Sequence, residues 1–169
     1  KIRLVPSLRY PKKVKLDFKN KIFLPYDIFN EEIIVKEFKK IILNHVKFNF
    51  KVLKIKNHPM MVNSKKHLKL KYKLEKIIKE SKKKIQNTSH KNSAIFIGAT
   101  TGVIVALEKK INVIHICFDS VFDSYNQSLW PNLKVKKISN NSFTYKLKKY
   151  NTFLKFSNNQ NCYKRYYEI

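Results

Sequence analysis

The glycines of this chain are the feature that most restricts its fold. The 169-residue sequence contains two, Gly98 and Gly102, and both lie in the segment GATTG. A chain of this length with average composition would contain roughly a dozen glycines. Glycine permits a positive φ angle and allows other groups to approach the backbone closely. We therefore expect both glycines to stand where the backbone requires them, in a tight turn between a strand and a helix.

The two threonines between these glycines favour anion binding. Thr100 and Thr101 would stand at the start of the helix, where backbone amides have no intrahelical partner and hydroxyls act as caps. A phosphate group fits such a position. The segment matches neither the nucleoside-triphosphate loop GxxxxGK[ST] nor the dinucleotide pattern GxGxxG. An ordinary strand-to-helix connection with a capped helix would have the same residues. The motif alone therefore does not distinguish a phosphate-binding turn from a turn that binds no ligand.

Apolar periodicity predicts strands that alternate with helices. We expect strands at 21–25, 48–55, 94–97 and 112–118, an edge strand at 134–138, and helices from Asn30, at 72–85, at 101–109 and within 143–156. Such alternation is typical of an open, mostly parallel, Rossmann-like sheet with helices on both faces. The sequence therefore predicts a single α/β domain over residues 1–169.

A second polar turn follows an earlier predicted strand. The segment KNHP (56–59) comes directly after the strand that ends at Ile55. His58 can donate to a phosphate oxygen or exchange a proton near neutral pH, and Pro59 fixes the direction of the turn. Ligands of parallel sheets bind outside the carboxyl ends of the strands, so KNHP and GATTG should lie at one rim. A His-Pro pair often follows a strand without any function, so the convergence of the two turns is what supports a site.

The charge of the chain restricts its partners. The sequence has 37 Lys and Arg against 11 Asp and Glu, a net charge of +26. A surface this basic attracts phosphates and other anions. Proteins that recognise specific DNA sequences favour arginine, which occurs only three times here. A bias toward AT-rich codons explains part of the lysine excess. We therefore expect no specific nucleic-acid partner, and a peripheral contact with a membrane through the basic surface.

The cysteines and the hydropathy of the chain predict its compartment. Cys117 and Cys162 belong to no metal-binding or disulfide pattern, which favours a reducing compartment. No uncharged run reaches the ~20 residues that span a bilayer, and no signal pattern is present. The sequence also lacks a DxD motif. We expect a cytoplasmic protein, at the inner face of the membrane, with no bound metal and no cofactor.

The order of three short motifs resembles a known class of enzymes. LPYD (24–27), KNHP and GATTG, followed by the strand INVIHI, are similar to the C-terminal, donor-binding half of GT-B glycosyltransferases over about residues 21–118. The likeness is greatest to bacterial capsule and lipopolysaccharide enzymes that use CMP-activated sugars. Their KxHP motif and hydroxyl pair hold the nucleotide and its phosphate, whereas Val105 stands where many relatives carry a ribose-binding glutamate. The resemblance implies these donor-binding residues: His58, Pro59, Gly98, Thr100, Thr101 and Gly102.

The resemblance also implies a function. The chain would bind a nucleotide sugar, without a metal, and contribute to its transfer to a glycan or glycolipid acceptor. Such enzymes have a second α/β half for the acceptor, so we expect this chain to be part of a longer protein. The catalytic residue is unassigned, with His58 as a candidate. Apart from the resemblance, the polar loop after the last strong strand predicts an extension of the donor site through Asp119, Asp123, Ser124, Tyr125 and Trp130, with the alternative that the two aromatic residues only cover the sheet. Two alternatives stay open, a non-enzymatic basic nucleic-acid-binding domain and an inactive sugar-binding relative.

Overall fold

The protein is an α/β arrangement of short strands and three helices in the residues that the computed structural model describes, which are 7–11, 17–44, 53–82, 92–98, 100, 102–117, 131–150 and 156–157. The strands are β1 (Ser7–Pro11), β2 (Lys21–Phe23), β3 (Lys54–Lys56), β4 (Ser93–Ile97), β5 (Asn112–Ile116), β6 (Leu133–Ser139), β7 (Ser142–Leu147) and β8 (Phe156–Ser157). The helices are α1 (Glu31–Asn44), α2 (Lys65–Lys82) and α3 (Gly102–Glu108), and a 3₁₀ turn (Pro59–Met61) precedes α2.

Six of the described strands form one open sheet in the order β3-β2-β4-β5-β7-β6. The first four run parallel, and β7 and β6 add an antiparallel hairpin at one edge. A separate parallel pair joins β1 to β8. The predicted α/β class and mostly parallel sheet are confirmed, and β6 is the predicted edge strand.

The two faces of the sheet carry separate apolar cores. On one face α1 and α2 pack together over the isoleucines of β2, β4 and β5. On the other face α3 packs with Phe18, Phe96 and the apolar side chains of β7. Helices thus cover both faces, as the strand–helix alternation predicts. Over the described ranges, none of the helices has the length and apolar character needed to cross a bilayer.

The first helix begins where the sequence predicts. Asn30 caps α1, because its Oδ1 accepts a hydrogen bond from the amide of Ile33 at 3.0 Å. One face of the helix is buried through Ile34, Phe38, Ile41 and Ile42. The i, i+4, i+7, i+8 spacing of these side chains therefore predicts the packed face correctly.

The second helix begins seven residues before its predicted start at Tyr72. Ser64 precedes α2, and its carbonyl accepts a hydrogen bond from the amide of Leu68 at 3.0 Å. His67 and Leu70 are buried, so the inward face continues through the first two turns. Five lysines between 65 and 73 interrupt the apolar pattern there, which hides the helix start from an interpretation based on hydropathy. Residues 83–85 of the predicted helix lie outside the described residues.

The helix predicted within residues 143–156 is wrong in the described part of that range. β7 pairs antiparallel with both β5 and β6. Phe143, Tyr145 and Leu147 are buried, whereas Lys146 between them is exposed, which is the period of two that a strand imposes. The turn Asn140–Asn141 closes the hairpin. Residues 48–52 of the strand predicted before KNHP lie outside the described residues.

A buried carboxylate fastens α1 to this hairpin. Glu37 is 4% exposed, and its Oε2 accepts hydrogen bonds from the hydroxyls of Ser139 and Ser142, the second at 3.1 Å. Lys40 donates to Oε1 at 3.2 Å. Burial acts to raise the pKa of Glu37, but the hydrogen bonds from Ser139, Lys40 and Ser142 together outweigh it and hold the pKa below the usual 4.5.

We predict that Glu37→Gln destabilises the fold by about 1–3 kcal/mol at pH 7, because the amide cannot accept all of these hydrogen bonds. The folded pKa lies below the unfolded value, so the contribution of the carboxylate is complete above pH 4.5 and is lost as the pH falls through the folded pKa. Urea unfolding of wild type and Glu37→Gln at pH 7 and pH 4 measures the two free energies of unfolding. The difference between them should be smaller at pH 4.

The matched control is Glu32→Gln, which removes the same charge from an exposed position of α1. This variant should change the free energy of unfolding by less than about 0.5 kcal/mol. An equal effect of both substitutions would show that the buried contacts of Glu37 contribute nothing specific.

Candidate functional site

The candidate site lies at the rim where the parallel strands β3, β2 and β4 end. β2 lies between the other two, and the amide of Leu24 just after β2 donates to the carbonyl of Lys56 at 2.9 Å. From β2 the chain passes through α1 to its neighbour β3, toward one edge of the sheet. From β4 it passes through α3 to β5, toward the other edge. The strand order therefore reverses between β2 and β4, which is where open α/β sheets form a ligand crevice.

Gly98 forms the turn directly after β4. Its φ angle is +70°, a conformation that side chains with a Cβ rarely adopt. A Cβ at this position would also lie 2.8 Å from the Cβ of Pro25, which follows β2. Both backbone conformation and space therefore require glycine, as the sequence predicts, and the turns after β2 and β4 are in direct contact.

A buried histidine on the next strand holds this turn. His115 of β5 is fully buried, and its Nε2 lies 2.8 Å from the carbonyl oxygen of Gly98. Because a carbonyl only accepts, Nε2 carries the proton, and Nδ1, 3.2 Å from the hydroxyl oxygen of Tyr145, accepts from that hydroxyl. Burial lowers the pKa of His115, while the bond to Gly98 opposes this, so the ring is neutral at pH 7. The sequence-based prediction assigned His115 no role, although a histidine inside the apolar run INVIHI was the available signal.

A second buried histidine holds the turn after β2. His67 of α2 is 3% exposed, and its Nε2 lies 3.0 Å from the carbonyl oxygen of Pro25. Its Nδ1 lies 3.0 Å from Ser64 Oγ, and the neighbouring Lys66 donates to the carbonyl of Ile28 at 3.2 Å. The start of α2 therefore fixes the loop between β2 and α1. The sequence-based prediction also missed this residue, since the predicted helix began after it.

The remaining part of GATTG leads into α3. Thr100 Oγ1 accepts a hydrogen bond from the amide of Gly102 at 3.1 Å, so the hydroxyl caps the helix and its proton is left to donate elsewhere. A Cβ on Gly102 would lie 3.0 Å from Phe96 and 3.2 Å from Thr100 Oγ1, so a larger residue here would require these side chains to shift by a few tenths of an ångström. The helix ends at Glu108, one residue before its predicted end. Thr101 lies outside the described residues.

His58 lies on the other side of the β2 turn. Its Nδ1 accepts from the amide of Met60 at 3.3 Å, which caps the 3₁₀ turn, and Pro59 occupies the first position of that turn. In the neutral ring the proton is therefore on Nε2. The ring of Tyr26 meets the His58 ring edge to face at 5.3 Å between centroids.

These contacts make a continuous row along the rim. His58 touches Tyr26, the adjacent Pro25 touches Gly98, and Gly98 leads to Thr100. Five of the six predicted donor-binding residues are described: four stand on the turns after β3 and β4, and Gly102 is the first residue of α3. The loop residues Asp119, Asp123, Ser124, Tyr125 and Trp130 lie outside the described residues.

The charged groups near this rim are mixed. Asp27 of LPYD is exposed, as are most of the lysines on α1 and α2. A cleft of about 390 Å³ also lies between α1 and the turn of the β6–β7 hairpin, with Lys36, Lys40 and Asn140 in its wall. In the part of the chain that the structure describes, no group of three or more His, Cys, Asp or Glu side chains could hold a metal ion.

Comparison with known proteins identifies no relative. No protein-family model matches the chain, and neither a curated protein nor a solved structure matches it significantly.

We predict that His115→Leu destabilises the fold by about 1–3 kcal/mol at pH 7.5, because the Gly98 carbonyl and the Tyr145 hydroxyl lose a buried partner. The folded pKa of His115 lies below the unfolded value of 6.5, so protonation favours the unfolded chain. Wild-type stability should therefore fall as the pH drops from 6.5 toward the folded pKa, and the variant should lack this component. Urea unfolding between pH 7.5 and pH 5 measures both effects.

Two single-hydroxyl variants of β7 serve as controls for this prediction. Tyr145→Phe removes the hydroxyl that His115 accepts from, whereas Thr144→Val removes a hydroxyl from the opposite face of the strand. Tyr145→Phe should lower the free energy of unfolding by about 0.5–1.5 kcal/mol, and Thr144→Val should lower it by less. An identical pH dependence in wild type and His115→Leu would contradict the assigned role.

Proposed function

We propose that this chain is the donor-binding part of a glycosyltransferase that transfers a sugar from a CMP-linked donor in the synthesis of a surface polysaccharide. The observation that supports this most is the row of contacts from His58 through the β2 turn to Gly98 and Thr100 at the switch point of the sheet. The proposal combines this arrangement with the similarity of LPYD, KNHP and GATTG to the donor-binding half of GT-B enzymes. The two cysteines without a pairing pattern favour a cytoplasmic place of action.

The rim offers donors for a phosphate group. His58 Nε2 and the hydroxyl of Thr100 can each donate to phosphate oxygens, and the positive φ of Gly98 turns the chain from β4 toward Thr100. During transfer, the bond between the sugar carbon and the phosphate oxygen breaks, and its electron pair stays on the phosphate. Donors already aimed at that oxygen stabilise the charge that develops there. The acceptor hydroxyl forms the new bond and gives its proton to a base that we do not assign.

The sugar and ribose hydroxyls need acceptors of their own. Val105 is 2% exposed in the core under α3, so that position does not contact a ligand. Asp27 is exposed at the end of LPYD, and its carbonyl oxygen lies 3.9 Å from the Cβ position of Gly98. We assign to the Asp27 carboxylate the binding of donor hydroxyls, since an ionised carboxylate only accepts hydrogen bonds.

Nucleotide titration tests the proposed site. We predict that CMP binds to the wild type and that His58→Asn and Thr101→Ala each weaken binding by about tenfold to a hundredfold, since a hydrogen bond to a charged group contributes about 1.5–3 kcal/mol. Isothermal titration calorimetry with CMP, UMP and UDP measures this. The His58→Asn variant would keep an acceptor for the Met60 amide but would lose the more distant donor nitrogen of the imidazole ring.

Thr144→Val is the matched control, because it removes a threonine hydroxyl from β7, away from the rim, and should leave nucleotide affinity unchanged. Circular dichroism should confirm that each variant folds. Equal affinity of wild type, His58→Asn and Thr101→Ala would refute the site. A clear preference for UDP would replace the CMP-linked donor with a UDP-linked one, and no binding of any nucleotide would favour the inactive relative or the nucleic-acid-binding alternative.

A further inference from the structure

The outward face of α2 carries a continuous basic stripe. Six exposed residues lie opposite its buried face, and each has another of the six three or four positions away along the helix. They define the α2 outer stripe: Lys65, Leu68, Lys69, Tyr72, Lys76 and Lys79. The stripe contains four lysines, and the exposed Glu80 lies at its border, one turn after Lys76. Glu75, on the flank of the helix, pairs with Lys71 at 4.0 Å and does not neutralise the stripe.

Large apolar side chains are exposed among and beside these lysines. Leu68 is 47% and Tyr72 is 70% exposed, one helical turn apart. The 3₁₀ turn that leads into α2 adds Met60 at 76% and Val62 at 53%. Contiguous exposed apolar groups that are rimmed by polar residues are typical of protein or membrane interaction sites.

This combination fits the interface of an anionic bilayer. Lysines attract the phosphates of anionic lipids, while short apolar side chains and tyrosine rings enter the boundary between headgroups and acyl chains. A nucleic acid would pair with the same lysines but would leave the aliphatic groups of Met60, Val62 and Leu68 in water. Phosphate binding by nucleic-acid proteins also favours arginine, and α2 contains none.

We propose that the α2 outer stripe, together with the 3₁₀ turn at its start, docks the protein on an anionic lipid surface. The proposal specifies the surface and the lipid chemistry, and it does not depend on the proposed transfer reaction. Because His58 caps the same 3₁₀ turn, docking at this surface would bring one end of the rim close to the membrane.

A second basic surface provides a matched control. On the β6–β7 hairpin, Lys134, Lys136 and Lys146 are exposed, and Lys134 lies directly across from Lys146. The described part of this hairpin has no exposed large apolar side chain. It therefore offers the same number of charges as the three lysines replaced below, without the apolar component.

Vesicle sedimentation tests the proposal with the full chain. Vesicles of phosphatidylcholine alone are compared with vesicles that contain phosphatidylglycerol, at about 0.1 M salt. The triple variant Lys69→Gln, Lys76→Gln, Lys79→Gln should bind anionic vesicles on the order of a hundredfold more weakly than wild type, at about fivefold per lysine. The double variant Leu68→Gln, Tyr72→Gln should bind about tenfold more weakly at unchanged charge. The control triple Lys134→Gln, Lys136→Gln, Lys146→Gln should lose less than about fivefold.

The other outcomes overturn the proposal. Failure of wild type to bind anionic vesicles would do so directly. An equal loss in the control triple would show that only net charge matters. Binding of a fluorescent DNA duplex that Leu68→Gln, Tyr72→Gln weakens, with vesicle binding unchanged, would assign the surface to nucleic acid. Circular dichroism of all variants confirms that exposed substitutions leave the fold intact.

Discussion

Two buried histidines determine the shape of the rim. His67 donates to the carbonyl of Pro25 and His115 to the carbonyl of Gly98, and these two acceptor residues are themselves in contact. A carbonyl buried without a donor is costly, so each histidine fixes one turn in a single position. The left-handed conformation of Gly98 is compatible with this contact only because no Cβ intervenes. The positions of the turns after β2 and β4 therefore depend on side chains from α2 and β5.

This support separates the fixed part of the rim from the part available to a ligand. The carbonyls of Pro25 and Gly98 are used by the histidines, whereas the distal nitrogen of His58 and the proton of the Thr100 hydroxyl are available to donate. The hairpin beyond β5 is fixed in a similar way at the same end of the parallel strands, since Glu37 joins α1 to Ser139 and Ser142 through buried hydrogen bonds. The net charge of +26 favours anionic ligands.

The sequence predicts the parts of the fold that depend on local patterns. Asn30 and the apolar face of α1, the buried strand before Gly98 and the need for glycine at that turn all follow from short-range chemistry. The start of α2 could not be predicted in this way, because its lysines interrupt the apolar pattern of the helix face that packs against the core. The helix predicted in place of β7 was wrong, although Phe143, Tyr145 and Leu147 alternate with polar residues. His67 and His115 could not be recognised as supports of the site, because their acceptors lie 42 and 17 residues away.

Selective labelling gives the most direct test of the central claim, that the GATTG turn binds the nucleotide phosphate. Because the chain has two glycines, ¹⁵N-glycine labelling yields an NMR spectrum with only the amide signals of Gly98 and Gly102. The account predicts that both signals shift progressively and saturably as CMP is added. CMP binding that leaves both signals in place would contradict it.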